Sequence, residues 1–268
     1  KNVGTNKTLT PAGLEITDGN SGNNYSINYI ANNNGEITKR TLNLSNFTAD
    51  DKTYDGTTNV TGVGFDDDRV DGDELSFNYD VAFENSNASD NVTVQYSNIE
   101  ISGADAANYS LESTEGTTTA NISKRSLDVT AQVDTRIYDG TTDSAVSPVV
   151  DELQTGDSIA TAPVQTFDNK NVGTGKTLTP AGLEITDGNS GNNYTINYID
   201  NSNGEITKRT LTLSNFTADN KEYDETTNVT GTGFSDDRLS GDKLEFSFDT
   251  AFEDKNIGTD KTVNYTNI

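Results

Sequence analysis

The side chains best able to do chemistry in this sequence are carboxylates, and they crowd into one place. Asp66-Asp67-Asp68-Arg69-Val70-Asp71-Gly72-Asp73-Glu74 is the richest cluster of hard oxygen donors in the chain. Such donors in a loop suit Ca²⁺, which can stiffen tandem extracellular modules. The spacing is not the Asp-x-Asp-x-Asp-Gly of a calcium loop, however. The sequence also repeats the cluster without preserving it: Ser235, Ser240 and Lys243 stand where Asp66, Asp71 and Glu74 stood. A solvated, charged turn is the default expectation, and no residue is assigned as a metal ligand.

Other routes to catalysis are closed by composition or by dispersal. The chain has no His, Cys, Met or Trp, which removes imidazole bases, thiol nucleophiles, thiolate metal sites and disulfides. A glycosidase-like pair of carboxylates remains as a chemical option. The 43 acidic residues are spread over repeated turns, and repeated turns do not predict one pocket. We expect no enzyme, no catalytic residue and no cofactor. One covalent option stays open, since Lys, Asn and carboxylate occur in every module and could form a Lys–Asn isopeptide crosslink.

Tyr54-Asp55-Gly56-Thr57-Thr58 recurs as Tyr138-Asp139-Gly140-Thr141-Thr142 and as Tyr223-Asp224-Glu225-Thr226-Thr227. A ligand loop would present the Tyr and the Asp outward. The structural reading is a turn, in which Asp accepts a hydrogen bond from the backbone two residues on and Tyr packs against a core. Glu225 in the glycine position suggests that this position does not need a positive φ.

A net charge of −25 leaves no basic footprint for nucleic acid and opposes an anionic membrane surface. It favours solubility and mutual repulsion between neighbouring molecules. No apolar run is long enough to span a bilayer. Low hydrophobicity with high charge is also the composition of disordered chains, but strict apolar alternation argues for folded strands. Leu75, Phe77, Tyr79, Val81 and Phe83 alternate with Ser76, Asn78, Asp80 and Ala82, a strand with one wet face. Its counterpart at Ile159 to Phe167 carries Pro163 at an inward position, so that strand should lie at a sheet edge or carry a bulge. Further strands are expected at Thr41–Phe47, Val92–Tyr96 into Ile99–Ile101, Tyr109–Leu111 and Thr118–Ile122, and no segment shows a sustained helical period.

These elements are organised by repetition. Residues 1–99 and 170–268 align without a gap, with roughly three-quarters of positions identical, and a shorter unit of about 85 residues lies inside that period. Ile-Thr-Lys-Arg at 37–40 and 206–209, and Ile-Ser-Lys-Arg at 122–125, mark the junctions. They divide the chain into the back half of a module (1–40), full modules at 41–125 and 126–209, and the front of another (210–268). The absence of Met and the part-modules suggest a piece of a longer repetitive protein. Across each Lys-Arg pair the apolar parity flips, from Ile37 to Leu42 and Leu44, from Ile122 to Leu127 and Val129, and from Ile206 to Leu211 and Leu213. Because parity selects the buried face, the chain should leave one core and enter the next there. No Gly/Ser-rich or Pro-rich linker intervenes, so stiff junctions are expected.

The ordered set of motifs resembles the YDG-type repeats of large bacterial surface adhesins, similar to filamentous-haemagglutinin-like exoproteins. The set is Tyr-Asp-Gly-Thr-Thr, then Gly72-Asp73-Glu74-Leu75 and its copies, then Phe167–Thr174 and Phe252–Thr259, then Gly103-Ala104-Asp105-Ala106-Ala107-Asn108-Tyr109, closing on Lys-Arg. The resemblance covers essentially the whole chain. Asn85-Ser86-Asn87-Ala88-Ser89 departs from it by losing a Lys-Asn-Val-Gly-Thr element, and Glu225 breaks one Tyr-Asp-Gly. Gly103–Tyr109, with its counterparts ending at Tyr25 and Tyr194, also resembles the tyrosine corner of immunoglobulin-like sandwiches, whose hydroxyl bonds backbone a few residues upstream. The expected fold is therefore all-β, with tandem small antiparallel Ig-like β-sandwich modules arranged as an elongated rod. The expected role is a structural stalk or spacer in a secreted adhesin at the bacterial cell surface, serving cell adhesion or biofilm formation. The alternative is that the repeats themselves bind a glycan, a host protein or ice. Expected partners are neighbouring modules of the same chain, within a monomer, with no nucleic acid and no membrane insertion.

Overall fold

Short alternating segments punctuated by Asn, Asp, Gly, Ser and Thr fold here as strands joined by tight turns. The computed structural model describes residues 1–268 and is all-β, with one 3₁₀ turn at Ala106–Asn108 as its helical content. No helix is long and apolar enough to cross a membrane. The chain forms two compact units. The first comprises Lys1–Ser126 together with Leu153–Ser158 and Ile185–Thr195, and the second comprises Leu127–Glu152, Ile159–Glu184 and Ile196–Ile268.

In the first unit, strands β1 (Gly4–Leu9) and β2 (Asn32–Ile37) pair antiparallel. Next come β3 (Arg40–Leu42), β4 (Leu44–Thr48), β5 (Lys52–Thr53), β6 (Gly64–Asp67), β7 (Ser76–Phe83), β8 (Ser89–Ser102), β9 (Tyr109–Leu111) and β10 (Gly116–Ser123). A four-stranded sheet runs in the order β5-β10-β8-β7, while β4 pairs with β6 and β3 with β9. Most pairs are antiparallel, as expected. β5 lies parallel to β10 and β3 parallel to β9, because strands near the start of a repeat return beside strands near its end, and that needs a long crossover rather than a hairpin.

The alternation in β7 works as the pattern requires, with Phe83 buried and Ser76, Asn78, Asp80 and Ala82 exposed. From this face Phe77 and Tyr79 meet Phe65 at ring-centroid distances of 5.0 and 5.3 Å. Tyr96 of β8 lies 4.9 Å from Phe47, so the four-stranded sheet and the β4–β6 pair share one aromatic core. Each such ring pair contributes about 0.5–1.5 kcal/mol beyond its buried area. The Tyr96 hydroxyl accepts from the Gly64 amide at 2.9 Å and donates to the Thr48 carbonyl, so its burial leaves no polar group unpaired. A second cluster of Leu42, Leu75 and Tyr109 closes the other end of this core.

The second unit repeats the plan. The strands that follow are β11 (Arg125–Thr130, entering from the first unit), β12 (Thr135–Ile137), β13 (Val149–Val150), β14 (Ser158–Thr161), β15 (Val164–Phe167), β16 (Gly173–Ala181), β17 (Glu184–Thr186), β18 (Tyr194–Ile199) and β19 (Asn201–Thr207), of which residues 185–186 of β17 and 194–195 of β18 belong to the first unit. The order β12-β19-β16-β15 reproduces that of the first unit, again with its outer pair, β12 and β19, parallel. Pro163 is buried and falls in the break between β14 and β15, and β15 is the edge strand of its sheet. Both outcomes follow from a residue that cannot donate to a ladder. The last four strands, β20 (Leu213–Thr217), β21 (Gly233–Asp236), β22 (Asp249–Phe252) and β23 (Val263–Thr266), form two antiparallel pairs. The apolar alternation of Leu244, Phe246 and Phe248 copies that of Leu75, Phe77 and Tyr79, but regular strand begins here only at Asp249.

The parity flip is visible at the middle junction. Ile122 is buried in β10, Leu127 and Val129 are buried in β11, and only Lys124 separates the two strands. At the other two Lys-Arg pairs the interruption is longer, with Thr38 and Lys39 lying between β2 and β3, and Lys208–Thr212 between β19 and β20.

Candidate functional site

The Tyr-Asp-Gly segments fold as the turns their chemistry prescribes. Asp55, Asp139 and Asp224 each accept from the amide two residues on, at 2.9 Å in every copy. Their sequence did not announce a cation three residues earlier. Lys52, Arg136 and Lys221 each bridge that aspartate and the carbonyl of the following Thr. The same cations lie over the rings of Phe83, Phe167 and Phe252 at 5.4, 5.0 and 5.7 Å. Lys221 and the Thr226 amide together lower the Asp224 carboxyl to about 2.

The glycine position of this turn is a correction to the sequence reading. Gly56, Gly140 and Glu225 have φ of 76°, 83° and 63°, so all three copies require the left-handed region, and Glu225 adopts it against the steric preference of an L-residue. The position needs a positive φ; the third copy tolerates the strain.

The tyrosine of this turn does more than fill a core. Tyr54 is buried, and its hydroxyl donates to Asp157 at 3.0 Å, a residue 103 positions away. Tyr194 donates to the same carboxylate at 2.6 Å, and the two rings meet edge-on at 5.5 Å. Burial first, and the Asp157 charge second, push both phenols up to about 12. Hydrogen bonds to a charged group contribute about 1.5–3 kcal/mol each, so one carboxylate holding two buried phenols is a strong local tie. All three residues belong to the first unit, because its 153–158 and 185–195 segments bring Asp157 and Tyr194 into it.

Around this tie the backbone is also engaged. Tyr194 Oη accepts from the Gln154 amide at 2.9 Å. Asn193, fully buried, accepts at Oδ1 from the Ala88 amide at 2.8 Å, and its carbonyl accepts from the Arg125 amide at 2.9 Å. Asn193 is positioned by a compact turn: Asp187 accepts from the amides of Asn189, Gly191 and Asn193 at 2.8, 2.7 and 3.0 Å. Burial would raise the Asp187 carboxyl, but these amides bring it below its usual value. This arrangement also corrects the tyrosine-corner resemblance. Tyr109 and Tyr194 bond the Val70 and Gln154 amides, 39 and 40 residues upstream, rather than backbone a few residues away.

The same tie recurs with fewer members. Tyr109 donates to Asp73 at 2.7 Å, Lys1 reaches Asp73 at 2.8 Å, and the Val3 amide donates to Asn108 at 2.9 Å. In the second unit Tyr138 donates to Asp242 at 2.8 Å and Lys170 lies 3.5 Å from that carboxylate. Only the motif Gly-Asp-x-(Leu/Ile), repeated beside each tyrosine motif, hinted at this role for Asp73, Asp157 and Asp242.

The acidic cluster, by contrast, is dispersed among separate partners. Asp67 forms a two-oxygen pair with Arg69 at 2.7 and 2.5 Å, which lowers its carboxyl. Asp68 bonds the Asn43 amide and side chain, Asp66 the Asn46 side chain, and Asp73 turns to Tyr109. No three carboxylates converge as a metal cage. The isopeptide trio does assemble once. Buried Lys176 lies 2.7 Å from Asn169 and 3.1 Å from Asp168. The hydrogen bond from Lys176 holds the Asp168 carboxyl below its usual value. At the corresponding place the third copy pairs Lys261 with Asp254, keeping the ion pair without the Asn.

A family model described as the YDG domain matches residues 38–120, 123–201 and 207–268. Comparison with curated proteins gives no match, and comparison with solved structures gives none. The tie from Tyr54 to Asp157 and Tyr194 therefore joins the first matched segment to the second, and that from Tyr138 to Asp242 the second to the third. Matched three times over most of its length, the chain belongs to the YDG domain family.

Proposed function

We propose that these repeats are the stalk of a secreted bacterial surface adhesin, holding a distal binding domain away from the cell. In this reading the modules are immunoglobulin-like sandwiches, their boundaries follow the Lys-Arg junctions, and no catalysis is assigned to them. The observation that supports it best is the Tyr54–Asp157–Tyr194 tie, because a residue conserved between copies is spent on joining one repeat to the next rather than on an exposed pocket. A spacer needs its joints to resist bending, and a buried, charge-assisted contact does this better than a flexible linker. The surface carboxylates would keep parallel stalks apart by repulsion.

Small-angle scattering on the chain tests this. An extended profile that becomes more flexible when Tyr54→Phe and Asp157→Asn are combined is the expected result. An unchanged profile would remove the mechanical role from the tie. Retention of the unmodified chain on a glycan array would favour direct ligand binding by the repeats instead.

A further inference from the structure

The core of the repeat at 41–125 is built on five rings, Phe47, Phe65, Phe77, Tyr79 and Tyr96, whose centroids meet at 4.9 to 6.0 Å. The repeat at 126–209 has the same order of strands in its four-stranded sheet and keeps none of the five. Counted back from Phe83 and Phe167, Thr161 and Pro163 stand where Phe77 and Tyr79 stand. The ladder register sets Tyr96 opposite Val81 and Pro180 opposite Gln165. Pro148, two residues before the Val150 that pairs with Val129, takes the place of Phe65, two residues before the Asp67 that pairs with Leu44. Ala131, five residues before Arg136, takes that of Phe47, five before Lys52.

Small and polar side chains close this core instead. Ala131, Pro148, Pro163 and Pro180 are buried. Gln165, 2% exposed, accepts from the Gln132 amide at 2.7 Å and donates to the Gln132 carbonyl and to Ser144 Oγ at 2.9 and 3.0 Å. Ser144 in turn donates to buried Asp134 at 2.8 Å. A buried ring stabilises through the area it removes from water and through its ring contacts, whereas a buried amide gives up bonds to water for those it makes. Pro180 also sits inside β16, where it cannot donate to the ladder. The difference is periodic. In the alignment of residues 1–99 with 170–268, Phe216, Phe234, Phe246, Phe248 and Tyr265 repeat the five rings, with centroids at 4.7 to 6.5 Å. Pro11 stands at the place of Pro180.

We propose that ring-cored and proline-cored repeats alternate along the chain and that the proline-cored ones are built-in yielding segments. As the chain is destabilised, 126–209 opens while 41–125 stays folded. In an array of repeats, stability is a sum of each repeat's own contribution and its contacts with its neighbours, so a weaker core opens locally instead of taking the whole array with it. Such a chain lengthens at alternate repeats while the ring-cored ones hold. This order of opening follows from the two cores alone and is independent of the adhesin reading.

Hydrogen–deuterium exchange of the whole chain in rising, sub-denaturing guanidinium, read peptide by peptide, tests the order. Only strands of the two complete repeats are compared. Core amides of β15, β16 and β19 should exchange at least about tenfold faster than those of β7, β8 and β10, and should join a common opening step at lower denaturant. Phe65→Leu, which removes one ring and keeps an apolar side chain, should speed exchange across 41–125 and leave 126–209 unchanged, narrowing the gap. Equal protection of the two repeats in the unmodified chain, or earlier opening of 41–125, would overturn the proposal. So would a Phe65→Leu chain in which 41–125 exchanges no faster, because the rings would then not be what holds that repeat.

Discussion

At the scale of single residues, the repeated turns are held by the same side-chain-to-backbone hydrogen bond in every copy. Asp55, Asp139 and Asp224 behave as their type predicts, and each turn is cross-braced by a cation. Glu225 is the residue that departs from the rule. At φ 63°, a non-glycine residue in the left-handed region costs about 1–2 kcal/mol, partly offset by the backbone entropy glycine would lose. Glu225→Gly should therefore stabilise the third repeat by about 1 kcal/mol, and Gly140→Ala at φ 83° should destabilise the second by a similar amount. Thermal melts of the two variants check this; opposite signs are expected, and equal signs would show that the turn strain is not what decides.

At the scale of elements, strands supply the layers while their end turns supply the joint. β18 begins at Tyr194, so the residue that opens the strand is also the one that ties to Tyr54 through Asp157. The joint has a defined pH response. Both phenols are raised to about 12 from an ordinary value near 10, so the folded state favours their neutral form. That stability is fully present below about pH 10 and is lost as pH rises through about 12. A spectrophotometric titration should show two tyrosines ionising near pH 12, and Asp157→Asn should bring both midpoints down. Midpoints that do not move would mean that burial alone sets them. Much of this level was legible in sequence. Tyr109–Leu111 is a strand with the expected bounds, and Pro163 breaks the strand it interrupts. The parallel pairs were not legible, because alternation reports which face is buried and says nothing about which distant strand lies alongside.

At the scale of the whole molecule, the high negative charge and the distributed pairing of carboxylates decide how the chain responds to ions. Asp66, Asp67, Asp68 and Asp73 are each committed to a different protein partner, and gathering them around one cation would break several of those bonds. The melting temperature is therefore expected to be the same in millimolar calcium and in chelator at matched ionic strength. A rise specific to calcium, absent in Asp67→Asn, would establish a site in the acidic loop.

The sequence by itself determined the repetition, the all-β class, the wet and dry faces of β7, and the turn chemistry of Asp55 and its copies. All of these are encoded over a few neighbouring residues, where periodicity and side-chain-to-backbone hydrogen bonds act. Tertiary structure alone decided that Tyr54 meets Asp157 across 103 residues, that Asn193 is buried between two segments of backbone, and that Glu225 must adopt a positive φ. These depend on which distant surfaces the folded chain brings together, and spacing along the chain carries no record of that distance.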